Sequence, residues 1–115
     1  MESFKQGDVV RVPFPYTDRQ TRQRRPALVV SSGPVGENGA LLWVVMITSA
    51  ENRAWPGDVE IRHHLEAGLP APSVIRTIKI ATIEKSHAEI LGMISKPTLK
   101  SVMQQIQTII AERET

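Results

Sequence analysis

Apolar positions in this chain fall in short blocks separated by turn-forming residues, a pattern of strands rather than long helices. The block Gly7-Asp8-Val9-Val10-Arg11-Val12-Pro13-Phe14 reads as a first strand. A second runs from Arg24-Arg25-Pro26 into Ala27-Leu28-Val29-Val30-Ser31. The third, Leu41 to Ile47, ends at Thr48-Ser49 and lacks polar alternation. That predicts cover on both faces, by core on one side and by a second subunit on the other. Asp58-Val59-Glu60-Ile61-Arg62 alternates cleanly, as a strand with one wet face does. Ser73 to Ile80 is enriched in β-branched residues, and Ile90-Leu91-Gly92-Met93-Ile94 makes a short last strand. After Pro97 the period changes. Leu99, Val102, Met103, Ile106, Ile109 and Ile110 repeat at helical spacing and form one apolar stripe, predicting an amphipathic helix that closes the sheet. Strands first and one helix last predict an α+β, mostly-β architecture.

The connections fit this order. Asp18 to Arg24 has no apolar period and reads as an exposed hairpin-like connection between the first two strands. Gly33-Pro34-Val35-Gly36-Glu37-Asn38-Gly39 is turn chemistry, and Gly68 to Pro72 is another break. No repeat, low-complexity tract or linker interrupts the 115 residues, so one domain is expected over residues 1–115. A domain of that size buries roughly two-thirds of its unfolded surface, little enough that a partner is expected.

Composition narrows the chemistry. Zero cysteines exclude a disulfide framework, a thiol nucleophile and a thiolate zinc site together. The longest apolar stretch, Ala40 to Ile47, is less than half a membrane span, and the first six residues hold no apolar run of signal-peptide length. A cytoplasmic protein without membrane contact is expected. Fourteen Lys and Arg against twelve Asp and Glu give a net charge of only +2, so the distribution matters more than the total. Arg19, Arg22, Arg24 and Arg25 crowd one connection whose only nearby acid is Asp18.

Within that cluster Arg25 stands before a proline. Pro26 disfavours helical angles at the preceding residue, so Arg25 is expected to be extended, with its guanidinium launched from a stiff backbone at the sheet's edge, as a phosphate ligand would need. Arg19, Arg22 and Arg24 suit contacts to a phosphate backbone, which add salt-dependent affinity without sequence information. Other chemistries fit poorly. His63 and His64 are adjacent and would point to opposite faces of a strand, so they cannot flank one phosphate. With Glu66 they lack recognised metal-ligand spacing. Gly33, Gly36 and Gly39 form neither a dinucleotide fingerprint nor a P-loop. No cofactor or metal is expected.

The succession Gly7-Asp8-Val9, Arg25-Pro26, Thr48, Ser73-Val74-Ile75 and a terminal helix resembles the MazF/PemK family of type II toxin–antitoxin endoribonucleases across nearly the whole chain. The resemblance implies a small SH3-like barrel of about five to seven strands, of the CcdB/PemK kind, with a C-terminal amphipathic helix. It implies metal-independent cleavage of single-stranded RNA, such as mRNA, by attack of the ribose 2′-hydroxyl on its own 3′-phosphate. It maps the two catalytic residues onto Arg25 and Thr48. Arg76, Lys79 and Ser73 join Arg19, Arg22 and Arg24 as expected RNA-binding residues, although a charge at Arg76 inside an apolar strand also needs a partner. Some relatives carry an acid two positions beyond that arginine, where this chain has Ile78. Asp18, Glu51 and Glu84 remain unranked as general bases, while Tyr16 and Trp55 are possible base-stacking platforms. A homodimer and an acidic, partly disordered antitoxin are the implied partners. A non-catalytic, gyrase-inhibiting toxin on the same scaffold, or an inactive RNA-binding relative, are the alternatives.

Overall fold

In the computed structural model, residues 3–13 and 24–112 are described. The strands are β1 (Asp8–Pro13), β2 (Arg24–Val29), β3 (Leu41–Ser49), β4 (Val59–Ile61), β5 (Ser73–Glu84) and β6 (Glu89–Met93), and the helix is α1 (Lys96–Ile110). They form one antiparallel sheet in the order β4-β5-β3-β2-β1-β6, curled into a half-barrel. The mostly-β fold and the count of strands agree with the sequence.

Alternation along each strand feeds two cores. On one face Val9, Leu28, Val45, Ile47, Ile61 and Ile75 pack against Val102, Leu99, Met103 and Ile106 of α1. On the other Val10, Val12, Ala27, Val29, Leu42, Val44 and Met46 gather with Phe4 and Ile83. The unbroken apolar run of β3 is thus covered on both faces by its own chain. One face belongs to α1 where a second subunit was expected, and only Trp43, 52% exposed, escapes this cover. The helix begins at Lys96, one residue ahead of the Pro97 after which the apolar period changes. Ser95 caps it, its hydroxyl accepting from the Thr98 amide at 3.4 Å, and Pro97 lies in the first turn, where a missing N–H is harmless.

Strand β5 departs most from expectation. It runs to Glu84 rather than ending at Ile80, because Ala81 to Glu84 continue the ladder against Leu41 to Val44. The register also jumps: Val45 faces Ile80, whereas Met46 faces Arg76, so Thr77, Ile78 and Lys79 bulge out of the pairing. Such a bulge bends and twists a strand, here letting one long strand follow the curl of the sheet. At the far edge, β6 is held against residues 63–69 by close backbone approach. A Cβ on Gly92 would lie 2.5 Å from the Ala67 carbonyl carbon, and one on Gly68 would lie 2.2 Å from the Leu91 oxygen.

Candidate active site

The β2–β3 ladder pairs Val29 with Val44, Leu28 with Val45 and Ala27 with Met46, then stops beside Pro26, which has no N–H to extend it. Continued two residues further, the same register would set Arg25 across from Thr48. Facing residues share a side of the sheet, so Arg25, Ala27 and Val29 look the same way as Thr48, Met46 and Val44. Strand β5 adds Arg76 opposite Met46 and Val74 opposite Thr48. The fold therefore brings Arg25, Thr48 and Arg76 to one end of one face. Strand β2 lies inside the sheet, between β1 and β3, rather than at an edge. Arg25 is instead placed at the mouth of the sheet, where the ladder to β3 has run out.

The arginines differ in what they meet. Arg11 and Arg24 both approach Glu89, at 3.9 and 4.0 Å, and Arg24 also donates to the carbonyls of Arg11 and His87. Arg24 thus turns towards β1 and β6 on the face opposite Arg25. Half-buried Arg25 has no ion pair among the described residues, and its Nε is buried without a hydrogen-bond partner. An unmatched buried donor costs about 1–3 kcal/mol, which an anionic oxygen would recover.

Thr48 is buried inside the end of β3, and its Oγ1 accepts from Asn52 Nδ2 at 2.6 Å. Arg76 is buried as well, with Nε and Nη2 on the two carboxylate oxygens of Asp58 at 3.2 and 3.0 Å. Its Nη2 also donates to the Arg53 carbonyl at 2.8 Å, and its guanidinium lies 4.3 Å from the Trp55 ring centroid. The partner that the sequence demanded is therefore Asp58, and the Arg76 charge is neutralised within the loop it anchors. Lys79 Nζ stands 4.8 Å from the same ring while keeping partial exposure. Trp55 thus serves as a platform for two cations.

Other expected residues are placed elsewhere. Ser73 faces Ser49 and Ile61 on the helix side, and its buried hydroxyl donates to the Ala71 carbonyl at 2.9 Å, so it is not brought to Arg25 and Thr48. Arg19, Arg22, Asp18 and Tyr16 lie outside the described residues. Glu84 faces Leu41, about 23 Å along β3 from Thr48 at the usual rise per residue, and pairs with His87 at 3.3 Å. Exposed Glu51, in the turn that follows β3, is the described carboxylate nearest in sequence to Thr48. Ile78 is half exposed in the β5 bulge. Among the described residues no group of three or more His, Cys, Asp or Glu could hold a metal ion. Sequence reasoning missed Asn52 and Asp58, since Asn52 lies in a polar turn and Asp58 was read as one wet position of an alternating strand.

Comparison with known proteins bears on the family and the fold. Residues 5–110 match the family described as PemK-like, MazF-like toxin of type II toxin-antitoxin system. The fold is similar to the crystal structure of MazF from Deinococcus radiodurans, at TM-score 0.76 and 22% identity over 97% of this chain and 100% of that one. It is similar to a MazE–MazF complex from the same organism, at TM-score 0.74 and 21% identity over 98% and 100% of the two chains. A mycobacterial endoribonuclease in complex with its cognate antitoxin gives TM-score 0.71 and 19% identity over 100% of both. No curated protein matches the chain. With the family matched over almost its whole length, the chain belongs to the PemK-like, MazF-like toxins of type II toxin–antitoxin systems.

Proposed function

We propose that this toxin is an endoribonuclease that cuts single-stranded RNA without a metal ion, through Arg25 and Thr48. The observation that carries the reading is Arg25: a guanidinium with a buried, unmatched Nε, beside a threonine on the neighbouring strand, while Arg11, Arg24 and Arg76 all meet carboxylates. That pair suits a phosphodiester. In the reaction the ribose 2′-oxygen forms a bond to phosphorus and the bond to the 5′-oxygen breaks, leaving a 2′,3′-cyclic phosphate and a 5′-hydroxyl. Extra negative charge develops on the non-bridging oxygens. The cationic guanidinium of Arg25 stabilises that charge. The Thr48 hydroxyl donates to a non-bridging oxygen. A carboxylate takes the 2′ proton, and the departing 5′-oxygen gains one. Glu51 and Asp18 remain for that carboxylate, since the register carries Glu84 to the other end of β3.

Lys79, held over Trp55, supplies a cation near the site, and Arg19 and Arg22 extend the basic path for RNA, whereas Arg24 lies on the opposite face against Glu89. Arg76 contributes by fixing the loop after β3, and Ser73 by bracing the turn before β5. The partners in this reading are RNA, a second copy and an acidic antitoxin segment that folds over Arg22 to Arg25, in the cytoplasm. Solved complexes of the related toxins with antitoxins support the last. Exposed Trp43, Ile109 and Ile110, beside an apolar groove of about 340 Å³ lined by Val30, Met103 and Ile106, support the second copy. Incubating the purified protein with RNA in EDTA tests the function. Cleavage is expected. Bound but intact RNA would make it an inactive RNA-binding relative, and neither binding nor cleavage would favour a gyrase-type inhibitor.

A further inference from the structure

A threonine hydroxyl has one proton and two lone pairs, and what the protein occupies decides what is left for a ligand. Asn52 Nδ2 donates to Thr48 Oγ1 at 2.6 Å, so the amide takes a lone pair and leaves the proton uncommitted. Among the described residues no hydrogen bond receives that proton. A phosphate oxygen needs it, because an oxygen lone pair in the same place would repel the anion. We propose that Asn52 is a positioning residue for RNA cleavage, donating to Thr48 Oγ1 so that the hydroxyl stays turned as a donor towards the scissile phosphate. The inference rests on the ribonuclease reading above.

The surrounding loop places Asn52 without needing its amide. The Asn52 backbone N–H donates to the Ser49 carbonyl at 3.1 Å, Glu51 N–H to Ser49 Oγ at 3.2 Å, and Ala50 N–H to the Pro72 carbonyl at 3.0 Å. Further on, Arg76 holds Asp58 and the Arg53 carbonyl, and Thr77 Oγ1 donates to the Gly57 carbonyl at 3.1 Å. Asn52 is itself exposed, so truncating it leaves no cavity. A change at this side chain removes one hydrogen bond and little else.

The test is single-turnover cleavage and RNA binding by Asn52→Ala and Asn52→Asp, each alone and combined with Thr48→Val, with thermal melting as the folding control. Asn52→Ala is expected to cut about tenfold more slowly, the worth of one hydrogen bond, with affinity for RNA unchanged. Asn52→Asp keeps the shape and reverses the polarity: its carboxylate accepts the Thr48 proton and withholds it from the phosphate. Its rate relative to wild type should therefore be lowest at neutral pH and recover as pH falls towards about 4, where the carboxyl again donates. With Thr48→Val already present, Asn52→Ala should have no further effect, since its action runs through that hydroxyl. Wild-type rates in Asn52→Ala, or an equal loss with and without Thr48, would overturn the inference while leaving the ribonuclease reading standing. RNA left intact by the wild-type protein would overturn both.

Discussion

Arg24 and Arg25 are adjacent and therefore lie on opposite faces of β2. Arg24 is tied to Glu89 and to two carbonyls, whereas Arg25 meets no carboxylate among the described residues and keeps an unmatched Nε. The Arg-Pro step singled out Arg25 in the sequence, because proline dictates the backbone before it, and the resemblance singled out Thr48. What the sequence could not supply were the residues that meet them. The need of Arg76 for a partner was evident from its apolar neighbours, yet Asp58 is 18 positions away and the pair exists only because β4 returns alongside β5. Asn52 carried no signal, since its role is one hydrogen bond made by a turn. At this scale the expected outcome is a kinetic split. Arg25→Ala should cut RNA about 10² times more slowly or worse, as loss of one preorganised charge stabiliser does, and Thr48→Val should be slower by a smaller factor. Single-turnover rates on one RNA check this, and an unimpaired Arg25→Ala would remove that residue from the site.

Elements were legible wherever their period was undisturbed. The stripe of α1 and the alternation of β4 both follow from local pattern. Strand β5 was cut short in the sequence reading because the bulge at Thr77 to Lys79 breaks its period, and a bulge is decided by the neighbouring strand. Nor could the run of β3 say what covers it: an apolar strand looks the same whether helix or subunit lies on top. Glycines mark a third kind of element contact. Gly92 has no room for a side chain because residues 63–69 pack on β6. Gly92→Ala should therefore destabilise the protein by about 1–3 kcal/mol, the usual cost of forced overpacking, read from the urea midpoint. A midpoint equal to wild type would show that this approach is not constrained.

For the whole molecule, α1 covers one face of the sheet and yet leaves an apolar margin at Trp43, Ile109 and Ile110. A twofold arrangement would close such a margin with a self-complementary patch. Sedimentation at micromolar concentration should give twice 12.8 kDa, and Trp43→Lys should shift it towards monomer. A monomeric wild type would contradict the dimer. Charge at this scale also predicts the mask: an antitoxin segment that neutralises the arginines should stop cleavage in the saturated complex, and unimpeded cutting there would exclude masking. The central claim is that this end of the sheet performs an internal transfer at phosphorus, with the 2′-hydroxyl as nucleophile. The most direct measurement compares cleavage of one RNA oligonucleotide with that of the same oligonucleotide carrying a single 2′-deoxy sugar on the 5′ side of the cut. The account predicts that both bind and that only the all-ribose strand is cut at that position. Normal cutting of the deoxy strand would contradict it, because water would then be the nucleophile.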